Sequence, residues 1–296
     1  MIETTGLRKT YADGAEALRG LDLNVPTGSI CGFLGRNGAG KTTTIKILLG
    51  MSRPTSGEAR VLGLDATSPD ASVEIRRRSG FVSEEKDLYG YMTVVEMVRF
   101  TAAFFPRWRR DLEERYLRRF ELPPLRKVSA LSKGMRTKLA LLLALCRGAE
   151  LLILDEPTSG LDPTIAEEVL QAIVSHVANE ELTVFFSSHQ IAEVEQITDR
   201  IVIIDRGRAV VSGALDDLRE SYRRIQLVFD GDAPKAVFTA PGVARVERKG
   251  RVLSVLSSAN AEAIVAEARR LDPVSVDVAP VSLKEIFLDT VHTEGD

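Results

Sequence analysis

Residues 29–50 limit the fold more than any other stretch. SICGFLG reads as a buried strand and KTTTIKILLG as a helix. Between them lies the turn Gly35-Arg36-Asn37-Gly38-Ala39-Gly40-Lys41-Thr42. A strand that empties into a glycine-rich turn opening a helix lets successive backbone N–H groups curl around an anion. The spacing G-x-x-x-x-G-K-[ST] adds two side chains with chemistry. Lys41 is placed for the β- and γ-oxygens of a nucleoside triphosphate, and the Thr42 hydroxyl for Mg²⁺. Gly35, Arg36, Asn37, Gly38, Ala39, Gly40, Lys41, Thr42 and Thr43 are therefore expected around the phosphates.

A second apolar strand, LLILDE, ends in two carboxylates. Asp155 at the strand tip can hold Mg²⁺, directly or through water. Glu156 follows on the turn, aimed differently, where it can polarise an attacking water as general base. A strand ending in a solvated acidic turn is common, but the following PTSGLDP argues against that reading here. His189 closes another apolar strand, TVFFSSH, and parallel order would set it beside Lys41 and Asp155, within reach of a γ-phosphate. His176 and His292 have no such context and read as surface residues.

LSKGMRTKLALLLAL, residues 131–145, reads as an apolar helix with a polar start. Ser132 and Gly134 leave backbone N–H groups open at a helix N-terminus, which suits a phosphate. A chain with one phosphate loop has no evident need of a second phosphate site.

From Leu131 to Gly213 strands and helices alternate, which implies a parallel sheet with helices on its faces. ALRGLDLNV near the start has strand alternation and ends at the turn Pro26-Thr27-Gly28. Residues 87–126 read as helical, with an Arg-rich solvated face in FFPRWRRDLEERYLRRF. After about Ser221 a small α+β unit follows, including a hairpin around Lys249-Gly250. The expected division is 1–219 and 220–296, with a helical subdomain at about 87–145. The second part carries no phosphate or metal motif.

The chain has 296 residues with 44% hydrophobic and 27% charged, enough for a large domain and a small one. A formal net charge of -3 argues against a nucleic-acid partner. No apolar run approaches the roughly 18 to 20 residues of a membrane span, and the first residues lack the core of a signal peptide. Cys31 and Cys146 lie in apolar patterns and read as small buried hydrophobes of a reducing compartment.

Together these motifs resemble the ATP-binding cassette (ABC) of ABC transporters over about residues 1–215. The order is specific: Tyr11 at the A-loop position ahead of a strand pair, the phosphate loop, the Q-loop region GFVSEE, the LSKGM signature, LLILDE, the D-loop Ser159-Gly160-Leu161-Asp162, and the switch His189. The resemblance implies an α/β phosphate-loop NTPase core with a mostly parallel sheet, an antiparallel β subdomain and an inserted helical subdomain. It implies ATP and Mg²⁺ as cofactors, Tyr11 stacked on adenine, and two cassettes meeting head to tail. Ser132 and Gly134 would then touch the partner's ATP, and Asp162 would sit at the dimer seam. Glu84 stands where the family has glutamine, and is either a metal-site residue or a solvated glutamate. Lys133 and Met135 also depart from the commoner signature.

FFPRW, LPP and the ending VSLKEIFL resemble exporter-type (ABC-2) cassettes with a small C-terminal domain. The implied partners are a second copy of the cassette and a separate multi-span permease, with the cassette cytoplasmic and peripheral on the inner face of the membrane. The permease contact is expected in residues 87–108, where Leu88, Tyr89, Tyr91 and Met92 exceed, as a group, what a small helical layer needs. The competing reading is an ABC-type ATPase acting on ribosomes or nucleic acid. Such proteins usually carry two cassettes or a long coiled-coil insertion, and neither is in this sequence.

Overall fold

The computed structural model describes residues 1–178, 180 and 182–291. The chain divides into two compact units, Met1–Val210 and Val211–Asp296.

In chain order the first unit opens with strands β1 (Ile2–Thr10), β2 (Glu16–Val25) and β3 (Ile30–Leu34), then helix α1 (Lys41–Leu48). Strands β4 (Ser56–Val61) and β5 (Leu64–Asp65), helix α2 (Pro69–Arg78) and strand β6 (Ser79–Val82) follow. Three helices come next, α3 (Val94–Ala102), α4 (Arg110–Arg119) and α5 (Lys133–Leu145). The rest is β7 (Leu151–Asp155), α6 (Pro163–Val177), β8 (Thr183–Ser188), α7 (Ile191–Ile197), β9 (Arg200–Asp205) and the start of β10 (Arg208–Ala214), a strand that runs past the unit boundary.

Two sheets result. The antiparallel one has the order β2-β1-β4-β5. Alternation along β1 and β2 buries Ile2, Thr4, Leu7, Leu18, Leu21, Leu23 and Val25 and leaves Glu3, Thr5, Arg8, Arg19, Asp22 and Asn24 to solvent, as a sheet covered on one face requires. The second sheet has the order β10-β9-β3-β8-β7-β6, with β9, β3, β8, β7 and β6 successively parallel. Here β3, β7 and β8 are buried at every residue, the pattern of strands with helices on both faces.

The helical stretch differs from the continuous pattern expected from Asp87. Helix α3 starts only at Val94, where Thr93 accepts the Glu96 amide and Glu96 accepts the Thr93 amide, a reciprocal cap that fixes the start. Pro106 lies in the break before α4, and Pro123 and Pro124 follow its end. On α4 the residues Leu112, Tyr116 and Phe120, four apart, are buried while Arg115, Arg118 and Arg119 face solvent.

The second unit contains α8 (Leu215–Ser221), β11 (Arg223–Val228), β12 (Val243–Lys249), β13 (Val252–Ser257), α9 (Ala261–Ala268), β14 (Ser275–Pro280) and α10 (Leu283–Val291). Its sheet is antiparallel in the order β12-β13-β11-β14, over a core of Ile225, Leu227, Phe229, Leu253, Val255 and Ile264. Among the described residues no helix is long and apolar enough to cross a membrane. Cys31 and Cys146 are buried and free, and burial pushes the Cys31 thiol up to about 12 and that of Cys146 upward as well. Both are thereby kept from the reactive thiolate.

Candidate functional site

The glycine-rich turn joins β3 to α1. Gly40 caps the helix at φ 111°, a left-handed conformation that glycine adopts at no steric cost. Lys41, the first helical residue, is 6% exposed, and its ammonium donates to the carbonyls of Gly35 at 2.7 Å and Arg36 at 3.3 Å. Asn37, Gly38, Gly40, Lys41, Thr42, Thr43, Glu84 and Glu156 line a cleft of about 270 Å³. Ala39 is buried behind the turn, with Arg36 exposed. Tyr11 lies in the turn after β1, not ahead of the strand pair, and is 40% exposed. Its hydroxyl meets Thr43 Oγ1 at 3.0 Å, and Lys9 Nζ stands 5.2 Å from its ring.

The carboxylates come from the tip of β7. Asp155 pairs with Ser187 of β8, and the Ser187 hydroxyl donates to Asp155 Oδ1 at 2.7 Å. The same hydroxyl accepts the Glu156 amide at 3.1 Å. Glu156 has φ 48°, a left-handed conformation that costs a non-glycine residue about 1 to 2 kcal/mol. Its carboxyl group is buried, with Oε2 2.7 Å from His189 Nδ1 and Oε1 3.1 Å from Lys41 Nζ. Oε1 takes no hydrogen bond, so the Lys41 approach is an ion contact without bond direction. A carboxylate oxygen only accepts, which puts the imidazole proton on Nδ1 and leaves Nε2 free.

Glu84, Thr42 and Asp155 border a larger cavity of about 630 Å³. Glu84 is exposed and accepts from Ser159 Oγ at 3.4 Å. These oxygen donors suit a hard divalent cation. Lys86 lies two residues on, buried, and donates to the Glu156 carbonyl at 3.2 Å. Burial first, then the positive charge of Lys133, pushes its pKa down to about 8 against the opposing pull of Glu84, Asp155 and Glu156.

The signature occupies a different place in the same unit. Ser132 caps α5 by accepting the Met135 amide at 3.2 Å. A Cβ on Gly134 would meet Ile165 Cγ2 at 2.9 Å, and one on Gly160 would meet the Lys133 ammonium at 2.5 Å. The start of α5 thus packs at Gly134 against Ile165 in the first turn of α6, while the Lys133 ammonium reaches over Gly160 in the turn before it. Asp162 caps α6 by accepting the Thr164 amide at 2.9 Å. Neither Ser132, Gly134 nor Asp162 borders the clefts that hold Lys41, Asp155 and Glu156.

Sequence reasoning missed three residues. Ser187 ties the two carboxylates to β8. Lys86 holds the Glu156 carbonyl. Glu193 is buried and accepts from Thr158 at 2.7 Å and Ser188 at 3.0 Å, locking the acidic turn to the end of β8. The paired serines of FFSSH, polar on an apolar strand, were the available signal.

His176 is not a surface residue. It is buried, with Nδ1 3.2 Å from the Tyr116 hydroxyl, and burial lowers its pKa from the ordinary 6.5. It continues the face of α6 formed by Val169, Leu170, Ala172 and Ile173, so helical phase carries it into the core. His292 lies outside the described residues.

Residues 18–159 match the family model described as ABC transporter. The chain is 37% identical over 239 residues to the bacitracin transport ATP-binding protein BcrA of Bacillus licheniformis, covering 80% of this chain and 77% of that protein. It is 28% identical over 288 residues to the ABC transporter ATP-binding protein YtrB of Bacillus subtilis (strain 168), covering 97% of each. Among solved structures, a dimeric ATP-binding cassette in a post-hydrolysis state, bound to ADP and Pi, aligns with TM-score 0.66 and 25% identity, over 73% of this chain and 99% of that one. With a phosphate loop, an acidic strand end and a capped signature helix on one α/β frame, the chain belongs to the ABC transporter ATP-binding proteins and is the ATP-binding and ATP-hydrolysing subunit of such a transporter.

Proposed function

We propose that the chain works as a symmetric pair that closes on ATP and drives a separate multi-span permease from the cytoplasmic face of the membrane. One observation carries this reading. Lys41, Thr42, Asp155, Glu156 and His189 converge on one region, while Ser132 and Gly134 lie on another part of the same unit. Two copies related by a two-fold axis would use both parts twice and complete two composite sites. Because no member of the set is missing, a homodimer is favoured over pairing with a degenerate cassette. Asp162 would lie at the seam.

In each site Glu156 acts as general base. His189, bonded to its carboxylate, turns its free Nε2 toward the γ-phosphate, and Tyr11 stacks on the adenine. Thr42 and Asp155, with Glu84, would hold Mg²⁺, which neutralises phosphate charge when bound. The open amides at Ser132 and Gly134 would bind the partner's γ-phosphate, aided by the helix dipole.

Export is the favoured direction. One relative is named for bacitracin transport, and another, 39% identical over 227 residues, for daunorubicin and doxorubicin resistance in Streptomyces peucetius. Docking of the permease on residues 87–108 is supported by Tyr89, Tyr91, Phe100 and Phe104. These are 49%, 70%, 39% and 63% exposed, and successive rings are 5.1 to 5.7 Å apart. Leu88 and Met92 are half-buried.

The test mixes two inactive variants. Lys41→Ala lacks its own phosphate loop and keeps a sound signature, and Ser132→Arg has the reverse defect. A mixed dimer holds one site with both defects and one with neither, so ATPase activity should partly return. A mixture that stays dead, while each variant folds and dimerises, would exclude independent sites shared in trans.

A further inference from the structure

We propose that Lys86 is a positioning residue for hydrolysis, holding the Glu156 peptide in the conformation that aims its carboxylate. This rests on Glu156 being the general base.

The Glu156 backbone is strained. Glu156 has φ 48°, and it precedes Pro157, whose ring already narrows the conformations open to the residue before it. A non-glycine residue stays in such a region only when its surroundings over-determine it. Three residues do so here, Ser187, Ser159 and Lys86. On the N-terminal side, the Glu156 amide is fixed by the carbonyl and hydroxyl of Ser187, at 3.2 and 3.1 Å. On the C-terminal side, the Glu156 carbonyl accepts from the Ser159 amide at 3.2 Å, within the turn itself, and from Lys86 Nζ at 3.2 Å, from outside it. Pro157 has no N–H to offer a neighbour, so the carbonyl is the handle by which that peptide is held.

The position of Lys86 is itself costly. It has φ 50°, it is 7% exposed, and among the described residues its ammonium forms no ion pair with a carboxylate. A buried ammonium whose hydrogen-bond partner is a single carbonyl weakens the fold rather than strengthening it. Its evident return is geometric. With the peptide clamped at both ends, the Glu156 carboxyl group stands between Lys41 and His189, 3.1 and 2.7 Å away. Loss of Lys86 would leave that carbonyl with only the Ser159 amide of its own turn, which moves with it, so the turn could relax and swing the carboxylate off that line. Lys86 touches none of the reacting atoms in this scheme; it acts through Glu156.

The experiment compares Lys86→Met and Lys86→Arg with the parent, and adds Lys86→Met to Glu156→Gln. An apolar chain of similar length suits the buried site. Lys86→Met should lower kcat about 10-fold or more while KM for ATP stays within about 2-fold. Lys86→Arg, which can still donate to the carbonyl, should restore part of the loss. In the Glu156→Gln background Lys86→Met should change the residual rate less than about 2-fold, since the base it positions is gone. An unchanged kcat in Lys86→Met overturns the proposal. So does a raised KM at parental kcat, which would make Lys86 a nucleotide contact. A full 10-fold effect added on top of Glu156→Gln overturns it too. Should Lys86→Met melt below assay temperature, Lys86→Leu, which also lacks a donor, carries the same expectations. Parental hydrolysis by Glu156→Gln alone would instead overturn the assignment of the base, a separate result.

Discussion

The Ser187 hydroxyl reaches both carboxylate-bearing residues at once, 2.7 Å from Asp155 Oδ1 and 3.1 Å from the Glu156 amide nitrogen. One buried oxygen donates to the first and accepts from the second, so its single proton is committed to Asp155. Ser187→Ala leaves a buried carboxylate short of a donor and should cost about 1 to 3 kcal/mol of stability. Hydrolysis should fall by about 10-fold, with less change in ATP affinity. A urea melt and a steady-state ATPase assay on the same preparation check both.

Tyr11 should matter through its ring. Tyr11→Ala should weaken ATP binding several-fold, in line with a stack worth roughly 1 kcal/mol. Tyr11→Phe gives up only the contact with Thr43 Oγ1 and should stay close to the parent. Titration calorimetry with ATP separates the two, and equal affinities for parent and Tyr11→Ala would remove Tyr11 from the site.

Tyr89 and Tyr91 are exposed, so their replacement should spare the fold. The double variant Tyr89→Ser, Tyr91→Ser should keep basal ATPase activity within about 2-fold of the parent. Stimulation by the permease in reconstituted vesicles should be lost. Retained stimulation would move the docking surface elsewhere.

His176 makes stability pH-dependent. An unfolded histidine takes its proton near the ordinary 6.5, and folded His176 does so only at lower pH because burial disfavours the imidazolium. Between those two values the unfolded chain binds the extra proton, so stability falls as pH drops below about 6.5. The loss levels off once the folded imidazole also protonates. Urea midpoints of the parent and His176→Phe, compared from about pH 7.5 to 5, should converge or cross as pH falls. A constant gap would mean that His176 does not titrate in this range.

Much of this was legible without coordinates, for reasons that differ by residue. The phosphate loop is recognisable because spacing, strand and helix agree locally, and no distant contact is needed to place Lys41 at the helix start. The polar cap of α5 is local in the same way, since Ser132 and the Met135 amide are three residues apart. Ser187 was not legible. A hydroxyl inside an apolar strand has no meaning until one knows which residue of the neighbouring strand lies opposite. Lys86 was hidden for the opposite reason, because a lysine among Glu84, Glu85 and Asp87 has the composition of a solvated loop. His176 was misread by its type. Counting turns back to Ile173 and Val169 puts it on the buried face, and the phase of the helix outweighed the polarity of one side chain.

The bond between Ser187 and Asp155 also bears on how the chain avoids misassembly. β7 and β8 are buried on both sides along their length, so sliding one against the other by a residue exposes no apolar group and hides no wrongly placed charge until the tip. Alternation, which polices a half-wet sheet, is silent here. Only at the tip does an offset matter. There a slip that sets Asp155 opposite Phe186 leaves a buried carboxylate with no hydroxyl to answer it. The polar knot at the site thus doubles as a proofreading device for the sheet, and the residues that organise the chemistry are also those that penalise the wrong alignment during folding.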